Sequence, residues 1–171
     1  GTLVDSDATI IFYLFLNALL TVAAYPFVFL FEKLFYMVSV STLRDLSDTN
    51  NNLMRELQRK APGTFQHSLQ VANLAERAVS AIGGDVRLVR VGAMYHDIGK
   101  MLNPQAFIEN QAPGINYHSG LTPQESAAEI IKHVENGVVL AKKFHLPKEV
   151  IDYIASHHGH SMTGYFCNVY C

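Results

Sequence analysis

The chain has 171 residues, with 13 Lys and Arg against 15 Asp and Glu and a formal net charge of −2. That length fits a single modest core, and the balanced charge excludes bulk electrostatic recruitment of a nucleic-acid backbone. The two cysteines, Cys167 and Cys171, sit too close together at the end of the chain to staple a fold, which excludes a disulfide framework and suggests free thiols in a reducing compartment.

From Ala8 to Phe31 the sequence ATIIFYLFLNALLTVAAYPFVFLF carries no charged residue over 24 positions. As a helix it is long enough to cross roughly 30 Å of hydrocarbon, which predicts one transmembrane helix within residues 1–31. A signal peptide fits less well, because Asp5 and Asp7 stand where a basic region belongs and the apolar run is too long. The competing reading is a buried helical hairpin bent at Pro26. Lys33, Arg44, Arg55, Arg59 and Lys60 follow the span, so the positive-inside bias places the remainder in the cytoplasm. Opening on Gly1 close to such a span, the chain reads as a fragment of a longer membrane protein.

Residues 32–63 read as a juxtamembrane connector of two short helical pieces, separated by the polar run Ser47-Asp48-Thr49-Asn50-Asn51-Asn52. Ala61-Pro62-Gly63 then ends one element, and Thr64 is the expected N-cap of a helix over about Phe65 to Ile82. Its expected core face comprises Leu69, Val71, Ala72, Leu74, Ala75, Ala78 and Val79, and Gly83-Gly84 stops it. Asp85 is placed to cap the next helix, which runs through Val89 and Ala93 to His96. Met101 to Leu121, with Pro104, Pro113, Gly114 and Gly120, is a long connection of the kind often used as a lid or binding loop. Thr122-Pro123-Gln124-Glu125 reads as a capping box that opens a helix carrying His133, with a break expected at Asn136-Gly137. A last helix after Leu146-Pro147 presents Val150, Ile151, Tyr153 and Ile154 and runs into His157-His158-Gly159. No segment alternates over strand length, so the fold class is all-α.

Eight histidines are notable in a chain of this size. His67, His96-Asp97, His133 and His157-His158 fall on four separate predicted helices, from which a bundle can gather them. Singly, a histidine on an apolar face is more often a hydrogen-bonded core residue. Jointly, each would need its own buried partner, which favours ligation. Five histidines and one aspartate exceed the needs of one tetrahedral ion, whereas two ions sharing Asp97 use them all. Such a pair can acidify a bridging water to hydroxide and polarise a phosphoryl group, so phosphate-ester hydrolysis is the expected chemistry. Nitrogen and carboxylate donors suit iron or manganese, and also zinc. Once Gly99 breaks the helix, Lys100 either turns toward a phosphate or remains a solvated lysine at a helix end. His118, in the long loop, is a candidate substrate contact, and His145 and His160 are left on the surface.

These residues lie in the motifs APGTFQHSLQVANLAERA, VGAMYHDIGKM, FIENQ, LTPQESAAEIIKHVENGV, LPKEVIDYIASHHG and GYF. Together they resemble the seven-transmembrane HD family of PgpH-type cyclic-di-AMP phosphodiesterases over most of Leu34 to Phe166. The resemblance implies an HD-domain helical bundle over residues 64–171, preceded by the last transmembrane helix. It also implies a di-metal centre of iron or manganese and hydrolysis of cyclic di-AMP to pApA in second-messenger signalling. By position, His67, His96 and Asp97 would serve one metal, Asp97, His133, His157 and His158 the other, and Lys100 would bind phosphate. The implied location is the inner, cytoplasmic membrane of a bacterium, with the catalytic domain in the cytoplasm. The implied partners are the cyclic dinucleotide and the membrane, with a homo-oligomer allowed and no DNA or RNA polymer. The family pattern includes a further metal-binding aspartate well beyond the paired histidines. Nothing acidic follows Gly159 here, so the HD domain reads as incomplete at its C-terminus. Two other functions compete: HD-GYP hydrolysis of cyclic di-GMP, although Gly164-Tyr165-Phe166 is not the Gly-Tyr-Pro signature, and a non-catalytic nucleotide-sensing membrane module.

Overall fold

The computed structural model describes residues 2–35 and 38–159. It is helical throughout, with no strand among the described residues. The chain divides into two compact units, Gly1–Ser39 and Val40–Cys171.

The first unit is built on α1, Thr2–Phe35. Within it Thr9–Val28 is long and apolar enough to cross a membrane. Side chains such as Ile11, Phe15, Leu20 and Val22 are exposed, so among the described residues this helix presents its apolar surface outward. The hairpin expected at Pro26 as an alternative does not form. Proline deletes a single backbone donor, whereas a turn there would leave several apolar-segment N–H and C=O groups unpaired, and α1 continues through it.

The second unit contains α2 (Val40–Ser47), α3 (Asn52–Lys60), α4 (Pro62–Ile82), α5 (Val86–Tyr95), α6 (Pro123–Lys143) and α7 (Lys148–Ser156). The last turn of α5 is buried all round, from Val91 to Tyr95, because α4, α7 and α2 pack about it. Gly92 permits the closest of these approaches, since a Cβ there would meet the Tyr153 ring at 2.6 Å. Met54, Leu57, Phe65, Met94, Ile98, Val150 and Ile154 complete the core. Burying such side chains contributes about 1.5–3 kcal/mol each before the opposing conformational entropy.

Tyr95 joins the connector to this core. Its hydroxyl donates to the Leu46 carbonyl at 2.9 Å and accepts from Asn51 Nδ2 at 2.9 Å. Asn51 in turn caps α3 by accepting from the Met54 N–H. Burial pushes the Tyr95 phenol up to about 12 from 10.0, with Asp48 adding to the rise and the Asn51 hydrogen bond opposing it. A phenol that ionises higher in the folded than in the unfolded chain stabilises the fold fully below pH 10 and loses that contribution as pH rises through about 12. Tyr95→Phe is therefore expected to cost about 1–2 kcal/mol at neutral pH. It should also flatten the alkaline limb of the urea midpoint between pH 10 and 12, a window set by the same phenol. An unchanged midpoint at pH 7 would rule out the anchoring role.

Three sequence expectations are corrected. α4 begins at Pro62, not Phe65, because proline is preorganised for the first helical position; Thr64 lies inside the helix and its N–H is capped by Asn110 Oδ1 at 3.1 Å. On the same helix the buried stripe is Thr64, Phe65, Ser68 and Ala72, while Leu74 and Ala78 face outward, because the sites of contact with α3 and α5 rotate the face. α6 does not break at Asn136-Gly137. Gly137 serves close packing instead, since a Cβ there would lie 2.8 Å from Ile154 Cγ2. The expected Asp85 cap, the capping box of Thr122 and Glu125, and the Gly83 terminator with φ of 73° are all present.

A candidate binuclear metal centre

The helix ends deliver the site. α5 stops at Tyr95, ahead of Gly99, and His96 is its C-cap. The helix ends at His96 as the sequence places it, and Asp97, with φ of −107°, turns the chain into a 3-10 turn over Ile98–Leu102 that carries Lys100. Gly99 instead allows this turn to lie directly on α6, where a Cβ would run into the His133 carbonyl. His67 lies on α4, His133 in the middle of α6, and His157 caps α7. Gly159, with φ of 54°, follows His158 in left-handed geometry, as the HHG sequence requires for the pair to leave the helical path.

Asp97 is buried at the centre. Its Oδ2 lies 3.0 Å from His96 Nε2, 2.9 Å from Lys100 Nζ and 4.0 Å from His67 Nε2. Its Oδ1 faces the other way, 3.4 Å from His133 Nε2 and 3.5 Å from His157 Nε2. His158 Nε2 joins that side, 3.1 Å from His133 Nε2. The two carboxylate oxygens thus each face a separate imidazole set. Ligand atoms of His67, His96 and Asp97 lie within 4.8 Å of one another, as do those of Asp97, His133, His157 and His158.

Tautomers follow from the backbone. Nδ1 of His96 sits 2.7 Å from the Ala93 carbonyl, Nδ1 of His157 sits 2.8 Å from that of Ile154, and Nδ1 of His133 is hydrogen-bonded to that of Ile130. A carbonyl only accepts, so each Nδ1 holds a proton, and a ring in its neutral form turns an Nε2 lone pair inward. His133 Nε2 and His157 Nε2 then face each other at 3.3 Å with lone pairs opposed. Asp97 Oδ1 is buried and accepts no hydrogen bond. Opposed lone pairs beside an orphaned carboxylate oxygen are repulsive by themselves and attractive around a cation, and the nitrogen and oxygen donors fit a divalent transition ion.

The charges agree. Burial would raise the Asp97 carboxyl, but the His157 and His96 imidazoles and the Lys100 ammonium beside it hold it far below the usual carboxylate range. Burial pushes His133 down, and burial with the His157 and His133 charges pushes His158 down, so both offer lone pairs at neutral pH. His96 is raised: desolvation alone would lower it, and contact with Asp97 outweighs that. Lys100 is likewise raised by Asp97 and Glu109 against desolvation, so it is an ammonium.

Glu109 is the residue that sequence reasoning did not single out. Its Oε1 accepts from Lys100 Nζ at 2.9 Å and from the Thr64 hydroxyl at 3.1 Å, while Asn110 Nδ2 donates to that hydroxyl at 2.8 Å. The long loop is thereby pinned to the N-terminus of α4, one turn before His67. A carboxylate in FIENQ, inside a loop flagged as functional, was the available signal. Phe107 completes the surround, with its ring 5.5 Å from that of His133 and 4.8 Å from Lys100 Nζ. His118 lies apart from both ligand sets. Its Nε2 bonds the Ala106 carbonyl at 2.9 Å, and it lines a cavity of about 630 Å³ together with Phe107, Glu109 and Asn116. His145, with φ of 56°, ends α6 on the surface. His160, Gly164-Tyr165-Phe166, Cys167 and Cys171 lie outside the described residues.

The chain is similar to known proteins. The chain is 45% identical over 137 residues to the Cyclic-di-AMP phosphodiesterase PgpH of Listeria monocytogenes, covering 80% of this chain and 19% of that protein. It is 41% identical over 152 residues to PgpH of Bacillus subtilis, covering 89% of this chain and 21% of that protein. The chain therefore spans about a fifth of the length of these curated relatives. The crystal structure of the L. monocytogenes PgpH HD domain in complex with cyclic-di-AMP superposes with a TM-score of 0.67 at 46% identity, over 70% of this chain and 56% of that one. The HD domain family model matches residues 64–165, and the chain belongs to the HD domain family.

Proposed function

We propose that the second unit is the catalytic part of a metal-dependent phosphodiesterase that hydrolyses cyclic di-AMP to pApA in second-messenger signalling. The observation that carries this reading is Asp97, whose Oδ1 and Oδ2 each face a separate imidazole set. The relatives named as cyclic-di-AMP phosphodiesterases, and the HD domain solved with that nucleotide, support the substrate.

In this reading His67, His96 and Asp97 would hold one divalent ion, and Asp97, His133, His157 and His158 would hold the other, with iron or manganese as the expected metals. When bound, the ions supply Lewis acidity at the phosphoryl group and a water acidified toward neutral pH. The reaction adds water oxygen to one phosphorus and breaks its bond to O3′, and the freed 3′ oxygen takes a proton. Asp97 holds both ligand sets in register. The Nδ1–H bonds of His96, His133 and His157 to backbone carbonyls keep their Nε2 atoms aimed inward, so little reorganisation is needed as charge develops. Lys100 exchanges its contact with Glu109 for a phosphate oxygen, acting as a point charge. His118 and the cavity it lines receive part of the nucleotide.

We further propose that α1 spans the inner membrane of a bacterium, residues 32–63 transmit to the domain, and the chain is part of a seven-transmembrane HD protein. The exposed apolar surface of α1 supports the span.

The deciding experiment pairs metal analysis with cyclic di-AMP turnover in the same preparation. Two ions per chain and appearance of pApA are expected, with both lost after chelation; metal-loaded protein that binds the nucleotide without turnover would sink the enzymatic reading. Turnover of cyclic di-GMP in preference would reassign the substrate. Lys100→Gln is expected to keep both ions while raising KM about tenfold, the scale of one charge-assisted phosphate contact. An unchanged KM would return Lys100 to a structural role.

A further inference from the structure

We propose that a cavity between α2 and α5 binds the phosphate of an anionic phospholipid headgroup. The cavity measures about 440 Å³ and is walled by Arg44 and Ser47 of α2 and by Arg87 and Arg90 of α5, with Val40 and Leu43 beside them. Three guanidinium side chains line it and no carboxylate does, in a chain whose net charge is −2. Arg90 is already committed to α4, where it donates to Glu76 Oε2 at 2.5 Å and Asn73 Oδ1 at 3.0 Å. The guanidiniums of Arg44 and Arg87 pair with no carboxylate among the described residues, and both side chains are exposed. The nearby Asp85 carboxylate is spent on the α5 N-terminus, accepting from the N–H groups of Arg87 and Leu88 at 3.0 Å each.

Like charges gathered in a concavity raise its potential and repel one another until an anion enters. The planar guanidinium fork matches two phosphate oxygens at once, which lysine cannot do. Two features favour a lipid over free phosphate. Val40, 58% exposed, places an apolar surface beside the cations, which suits an amphiphile. In addition, α2 starts at Val40, five residues after α1 ends at Phe35, so the cavity's own helix follows the apolar helix closely along the chain. Basic pockets on the cytoplasmic side of membrane spans bind headgroups through this chemistry. The lipid assignment rests on reading α1 as a membrane span, whereas the cavity itself does not.

The test uses the full chain in non-ionic detergent micelles, titrated separately with phosphatidylglycerol, phosphatidylcholine and inorganic phosphate, with retained ligand counted by native mass spectrometry. Phosphatidylglycerol is expected to be held roughly tenfold more tightly than the other two. The double variant Arg44→Gln/Arg87→Gln is expected to lose that margin while metal content and helical circular dichroism stay the same. Equal retention of phosphatidylglycerol by the double variant would overturn the site, and inorganic phosphate held as tightly as the lipid would overturn the lipid assignment. Flotation of the chain with phosphatidylcholine vesicles reads the membrane span independently, so failure of α1 to insert is distinguished from failure of the cavity to bind.

Discussion

Asp97→Ala is expected to release both proposed metal ions and to lower the proposed cyclic di-AMP hydrolysis about a thousandfold or more, while helical circular dichroism is retained. The expectation rests on geometry. Asp97 is the single residue common to both ligand sets, and its oxygens face opposite groups of imidazoles. Removing it leaves His67 and His96 on one side and three histidines on the other, with no anion between them to offset two divalent charges. The Lys100 ammonium would lose its 2.9 Å partner and keep only Glu109, bringing uncompensated positive charge to the site. Elemental analysis reads the result directly. Two ions retained per chain in Asp97→Ala would refute the bridging role, and one retained ion would assign Asp97 to a single set.

Gly99→Ala is expected to cost about 3 kcal/mol or more, lowering the melting temperature by roughly 10 °C, and to displace His133. A methyl at position 99 would run into the His133 carbonyl and approach the Gly137 amide nitrogen to 2.5 Å. Both obstacles are backbone atoms of a continuous α6, so relief requires the helix to move away from the 3-10 turn. That movement would separate His133 from Asp97, and reduced metal content should accompany the thermal loss. Gly137→Ala provides the contrast: its added methyl meets Ile154 Cγ2 at 2.8 Å, and a side chain yields more readily than backbone. A melting temperature for Gly99→Ala within a degree of the parent would show that α6 and the turn slide freely.

The pattern of chemistry-bearing residues was legible because its spacing is local. Apolar periodicity and caps such as Asp85, Gly83 and the Thr122–Glu125 box delimit the helices, since a side chain a few positions from the helix end meets the same orphan backbone groups in any fold. His96-Asp97 and His157-His158 stand at helix ends in sequence, and they do so in space. Glycine is where local reading misled. Gly99 and Gly137 read as a breaker and a break, yet each is an approach site between separate elements, Gly99 against His133 and Gly137 against Ile154, a property no local window contains. Thr64 was misread for the same reason: the group that caps its N–H is Asn110, from the distant loop.

What the sequence by itself determined was the helical class, the apolar span, the set of candidate ligands and the choice of Asp97 as the shared carboxylate. These depend on residue type and short-range spacing. Tertiary structure alone decided which Asp97 oxygen faces which imidazoles, and that Glu109 clamps Lys100 to the start of α4. The reason is physical: a lone pair has a direction, and direction at a shared site is set only once separate helices have packed.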